Sequence, residues 1–146
     1  MFRRSRLTLQ ADDGFTLIEL LVVILIIGVL ATLAIGSFLS QKQKADDASA
    51  KSLVRTAATA AETVATENGG GYTSVTTSAL NAAEPSLNIA SNSSDAYLLA
   101  ASGSQSGYSI TVMSPVTSDT FTIQDSSGAV SRSCSGTGSG CVNSTW

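Results

Sequence analysis

The stretch from Phe15 to Leu39, FTLIELLVVILIIGVLATLAIGSFL, constrains this chain more than any other feature, because Glu19 is its only charge and Thr16, Thr32 and Ser37 its few polar side chains. About 20 residues at about 1.5 Å each cover roughly 30 Å of hydrocarbon, so the run is long enough to cross a bilayer as a helix. Ahead of it, MFRRSRLTLQADDG carries Arg3, Arg4 and Arg6, which marks that side as cytoplasmic. Lys42 and Lys44 lie past the other end, and Asp46 and Asp47 beside them count for little in the positive-inside rule. A secretory signal peptide shares the charged start, but its apolar region is typically about 7 to 15 residues, and only weak small-residue sites such as Thr32-Leu33-Ala34 are present here. A plain single-pass anchor fits the length. It leaves unexplained why a carboxylate sits inside the apolar segment.

Composition removes most catalytic readings. The 146 residues hold about one domain, with no His and only Cys134 and Cys141. The usual zinc ligand sets, a Ser-His-Asp triad and a Cys-His dyad are therefore out of reach. A net charge of -3 offers no broad basic footprint for nucleic acid. No catalytic residue, cofactor or metal is expected.

Glu19 then has two explanations. Near the centre of a lipid-facing helix a charge costs on the order of 2.5 to 3.5 kcal/mol, so an intramembrane acid normally faces a partner. The local explanation is a capping box: Thr16-Leu17-Ile18-Glu19 has the T-x-x-E spacing, and the helix dipole favours an acid in the first turn. The other uses the boundary at Gly14, where a bare backbone lies extended in a protease cleft at small steric cost. Cleavage after Gly14 frees the α-amino group of Phe15, whose ordinary pKa is near 8, one helical turn from Glu19 or within reach of the Glu19 of a neighbouring chain. In the uncut chain that nitrogen is a neutral amide, and packing against other copies would bury an unpaired charge.

At these residues, Gly14 leading into Phe15-Thr16-Leu17-Ile18-Glu19 and an apolar helix after a short basic leader, the chain closely resembles the type IV prepilin family. The resemblance covers Gly14 to about Gly36. It implies cleavage between Gly14 and Phe15 by a membrane prepilin peptidase, N-methylation of Phe15, and a role for Glu19 in docking subunits. A methylated amine remains a base, so the pairing with Glu19 survives. Many pilins carry a Pro in this segment, whereas here Gly28 and Gly36 are the only breakers.

The helical pattern continues past the membrane. Ala50, Leu53, Val54, Ala57, Ala60, Ala61 and Val64 recur at spacings of three and four, a stripe suited to packing on a sheet, and Asn68-Gly69-Gly70-Gly71 is a C-terminal stop. Asp47 and Lys51 read as an i,i+4 pair on the other side. The pattern predicts one helix from Thr16 to about Glu67, near 78 Å at about 1.5 Å per residue. The Ala-rich half also fits a solvated linker helix, because its stripe is narrow and Ala buries little. Beyond it, Thr73 to Ser94 reads as a loop with one helical turn at Ser78 to Ala83 before Pro85. Ala96–Ala100, Tyr108–Val112, Thr120–Ile123 and Gly128–Ser131 read as four strands joined by short turns, an antiparallel meander. A disordered or glycosylated stalk is the alternative, given the sequons Asn92-Ser93-Ser94 and Asn143-Ser144-Thr145.

Cys134 and Cys141 flank a Gly-rich stretch, and in an exported domain they read as a disulfide stabilising by roughly 2 to 3 kcal/mol. A pair of free thiols is the alternative for a cytoplasmic domain. The family often closes a loop in this position, which adds support.

The expected architecture is α+β, a type IV pilin fold: a long N-terminal helix with a membrane half and an amphipathic half, packed on a small antiparallel β-meander. The expected divisions are a leader at 1–14, a transmembrane and assembly helix at 15–39, an amphipathic helix at 40–68 and a β-rich region with the disulfide loop at 69–146. Losing Arg3, Arg4, Arg6, Asp12 and Asp13 with the leader would turn 8 basic and 11 acidic residues into 5 and 9, net -4. The resemblance implies as partners other pilin subunits, the peptidase and methylase, an assembly ATPase with its platform protein, and the membrane before assembly. It implies a structural subunit of a surface pilus serving adhesion, motility or DNA uptake. The alternatives are a pseudopilin of a type II secretion system, which usually implies a calcium-holding loop for which no dense Asp/Asn cluster is visible, and a membrane-anchored binding domain that never polymerises.

Overall fold

A computed structural model of the chain describes residues 14–91, 94–136 and 140–146. The leader and the sequon at Asn92 therefore lie outside, or partly outside, the described residues. The chain divides between Ser37 and Phe38 into two units. Helix α1 (Leu17–Glu67) contributes to both, and in the first unit it is the only regular element among the described residues.

In the second unit α1 buries Ala50, Val54, Ala57, Ala60, Ala61, Val64 and Ala65, the expected stripe with Leu53 half-buried at its margin. Small side chains let the helix lie close, so the larger apolar volume comes from the other elements: Phe121, Leu80, Leu87, Ile110, Val75 and Val112 are fully buried. The stop after Glu67 is chemical. Gly69 and Gly70 have φ of 79° and 93°, and Gly70 N donates to Ala65 O at 2.8 Å, closing the last turn as left-handed glycines do. A short helix α2 (Thr77–Ala83) comes next; Thr76 caps it by accepting from Ala79 N at 3.2 Å, and Glu84, just before Pro85, ends it.

Strands β1 (Tyr97–Gly103), β2 (Gly107–Met113), β3 (Thr120–Ser126) and β4 (Ala129–Ser135) form one antiparallel sheet in the order β1-β2-β3-β4. Period-2 alternation sends Tyr108, Ile110 and Val112 of β2 and Phe121, Ile123 and Asp125 of β3 to the helix side. Thr111 and Thr122 pair across the opposite face at 2.9 Å. A bulge between Leu98 and Ala100 resets the alternation in β1. All four strands are longer than expected: β1 and β3 run three residues further, β2 gains one at each end, and only the start of β3 at Thr120 falls where expected. Gly128 belongs to the β3–β4 turn, where Ser127 and Gly128 both take positive φ, the two-residue I′ geometry that matches strand twist. β4 continues to Ser135 because backbone pairing with β3 carries it, although of its side chains only Cys134 is buried.

A side chain at Gly103 would fall onto the Tyr72 carbonyl, since Tyr72 N donates to Ser104 O at 3.0 Å and draws the chain after α1 against the β1–β2 hairpin.

Candidate functional site

The first unit presents the start of α1. Thr16 caps the helix: its Oγ1 accepts from Glu19 N at 3.2 Å and its carbonyl accepts from Leu20 N at 3.2 Å, so the first half of the expected capping box is formed. Glu19 lies in the first turn, where the helix dipole favours a negative charge, and is exposed. Gly14 and Phe15 precede the helix and are exposed, Phe15 at 80 %. Gly14, Phe15 and Glu19 thus adjoin at one end of a single element.

Beyond Glu19 the helix presents an apolar surface with nothing over it. Every large apolar side chain from Leu17 to Leu39 is exposed, between 43 % at Val23 and 82 % at Leu17. Among the described residues this is the one helix long and apolar enough to cross a membrane. Such a surface is not stable against water and requires either lipid or other apolar helices. Thr32 keeps its hydroxyl from competing by donating to Val29 O at 2.7 Å. Leu21, Ile24, Leu25, Val29 and Thr32 border a shallow notch at Gly28, which has open space where a Cβ would stand.

In the second unit the structure corrects one expectation. Asp47 does not pair with Lys51 on the solvated side. It is fully buried, accepting from Thr117 Oγ1 at 2.6 Å and from Gly140 N at 3.0 Å. The reason is the helical period: Asp47 stands three residues before Ala50 and opens the buried stripe. Lys51 instead holds its ammonium 5.3 Å from the centre of the Phe121 ring.

Cys134 and Cys141 form a disulfide with Cα atoms 5.6 Å apart. Around it the structure gathers residues that the sequence does not single out. Trp146 lies with its ring 5.2 Å from the Arg55 guanidinium of α1, 5.6 Å from that of Arg132, and edge-on to Phe121 at 6.0 Å. At the far end of the packed half of α1, Tyr72 Oη donates to Glu62 Oε2 at 2.7 Å. That bond, then burial and the Glu62 charge, pushes the Tyr72 hydroxyl up to about 12. Burial, with the Glu62 and Asp125 charges behind it, raises Tyr108 as well, whose ring lies 5.1 Å from that of Tyr72.

The motif at the start of α1 is shared with known proteins. A family model described as the prokaryotic N-terminal methylation motif matches residues 10–35. The chain carries a prepilin-type N-terminus. The architecture behind it, a long N-terminal helix with a small four-stranded antiparallel sheet, is pilin-like. The type II secretion system core protein G of Klebsiella pneumoniae is 50 % identical over 38 residues, which is 26 % of this chain and 27 % of that protein. The chain thus spans about a quarter of the length of the curated relative it matches. No solved structure matches the chain.

Proposed function

We propose that the chain is a subunit of a type IV pilus, made as a membrane-anchored precursor, cut between Gly14 and Phe15, N-methylated on Phe15 and polymerised through the apolar half of α1. The observation that carries this reading is the pairing of a prepilin-type motif with a bare apolar helix whose single charge, Glu19, sits one turn from the proposed cut. Before the cut, Phe15 N is an amide and Glu19 gains nothing by leaving water. After it, an ammonium with an ordinary pKa near 8 stands beside Glu19 or faces the Glu19 of another copy. A charge that was costly to cover becomes half of an ion pair, and the apolar surface can close on other copies.

The partners in this reading are other copies of the chain, a prepilin peptidase and methylase, and an assembly ATPase with its platform protein. In this reading the leader with Arg3, Arg4 and Arg6 stays in the cytoplasm and the second unit lies beyond the cytoplasmic membrane; the three arginines and the Cys134–Cys141 disulfide, which persists in oxidising compartments, support that orientation. A second reading, a pseudopilin of a type II secretion system, is favoured by the identity with core protein G. Mass spectrometry of the protein from its own cells tests the shared core: the expected N-terminus is methylated Phe15, and a chain beginning at Met1 would refute it. Imaging surface filaments in cells with and without the protein separates pilus from pseudopilus.

A further inference from the structure

Residues 140–146 lie outside the named helices and strands, yet they are fixed to both α1 and β4 of the second unit. Gly140 N reaches Asp47 of α1 at 3.0 Å, Cys141 is bonded to Cys134 of β4, and Cys134 N donates to Ser144 O at 3.0 Å. Thr145 N donates to Val142 O at 3.0 Å, folding the segment back so that Trp146 arrives over the sheet. There the indole Nε1 donates to Ser133 O at 2.8 Å, and the ring lies against Arg55 of α1 and Arg132 of β4. The segment therefore bridges helix and sheet at both of its ends, through Asp47 at one and Trp146 at the other.

We propose that segment 140–146 is a redox-controlled latch: while the Cys134–Cys141 bond is closed it clamps α1 to the sheet through Asp47 and Trp146, and opening that bond releases the clamp without unfolding the domain. The non-covalent ties are few, and apart from Asp47, Cys134 and Phe121, whose ring meets that of Trp146 edge-on, the residues that make them are half-buried or exposed. Each hydrogen bond is worth little net against water, and the two cation–π contacts sit at the surface, whereas holding seven residues still costs conformational entropy at every one. The covalent tie shifts that balance by keeping the segment at its docking site. Once it is gone, Gly140 leaves Asp47, a fully buried carboxylate loses one of its donors, and water must enter beside α1. The fully buried members of the core cluster come from α1, Val75, Leu80, Leu87 and the sheet, while from the segment only Cys141 and Trp146 pack against its edge, half-buried. Opening needs a dithiol reductant: the Sγ–Sγ bond takes two electrons and two protons to give two thiols, while the dithiol closes to its own disulfide.

Trp146 is the sole tryptophan, so its emission reads the latch directly. The full chain in detergent micelles is treated with dithiothreitol while indole emission, acrylamide quenching and helical circular dichroism are monitored. The expected result is a red shift with increased quenching, an unchanged helical signal, and recovery on reoxidation. The Cys134→Ser/Cys141→Ser double variant should show the released emission with no reductant present. Unchanged emission and quenching on reduction would overturn the proposal. So would a helical signal lost together with the emission, because the bond would then be a staple for the whole domain and not a latch.

Discussion

Replacing Asp47 by Ala separates a buried acceptor from a surface charge by magnitude alone. Asp47 is fully buried and takes two donors, Thr117 Oγ1 at 2.6 Å and Gly140 N at 3.0 Å. Hydrogen bonds to a charged partner contribute about 1.5 to 3 kcal/mol each, and Ala returns roughly 0.5 kcal/mol through its better helix propensity. Thr117 and Gly140 are half-buried and recover some solvation once released, so the low end of the sum applies, a loss of about 2.5 kcal/mol. Asp47→Asn can still accept from one donor but turns an N–H toward the other, and should lose about half as much. Urea unfolding of the full chain in detergent, monitored by circular dichroism at a matched slope, measures both. An exposed i,i+4 pair with Lys51 would instead contribute only about 0.3 to 0.5 kcal/mol. A loss for Asp47→Ala inside that small range would refute the buried role, as would strong coupling between Asp47→Ala and Lys51→Ala in a double-mutant cycle.

Gly103→Ala would press a methyl group onto the Tyr72 carbonyl, and should destabilise the domain by about 1 to 3 kcal/mol in the same urea assay. Tyr72, raised from 10.0 to about 12, should give an ionisation step near pH 12 in a spectrophotometric alkaline titration, and Glu62→Gln should bring that step back toward 10. Because the folded value lies above the unfolded one, the stability from this hydrogen bond is complete below pH 10 and is lost as pH climbs toward about 12. Glu19→Ala should leave the chain inserted and processed but poorly incorporated into fibres, and a normal fibre yield would count against charge pairing. A bulky residue at Gly14 should block cleavage, with the leader still attached by mass spectrometry.

The parts of this protein that are legible in its sequence are those written in short periods. The three-and-four spacing from Ala50 to Val64 and the alternations around Ile110 and Phe121 specify faces locally, and the glycines after Asn68 specify a stop. Pro85 does the same for α2. β4 runs longer than its sequence suggests because Ser131, Arg132 and Ser133 carry no apolar alternation, and its length is set by pairing with β3. Asp47 takes the face opposite to the expected one although its signal is present: the stripe extends one step backwards to it, and only its charge argues for the solvated side. Nothing local announces that Trp146 meets Arg55, because that contact requires the disulfide and the sheet to be in place first.

Asp47 and Glu19 put the same chemical problem at two points of one helix. A carboxylate on an apolar face must find donors or stay wet, and for Asp47 the domain supplies both donors itself, from a loop hydroxyl and a backbone N–H. Glu19 is exposed on a surface of Leu, Ile and Val, where its bond to Thr16 uses the backbone N–H and not the carboxylate. The hydrocarbon of a bilayer offers no donor to that carboxylate, and neither do the apolar side chains of another α1. Whatever covers Glu19 has to bring donors, as the domain does for Asp47, and within a set of identical helices the amine that a cut before Phe15 would create is a new donor that also carries the opposite charge. On the proposed reading, processing therefore changes the thermodynamics of association and does more than trim the chain.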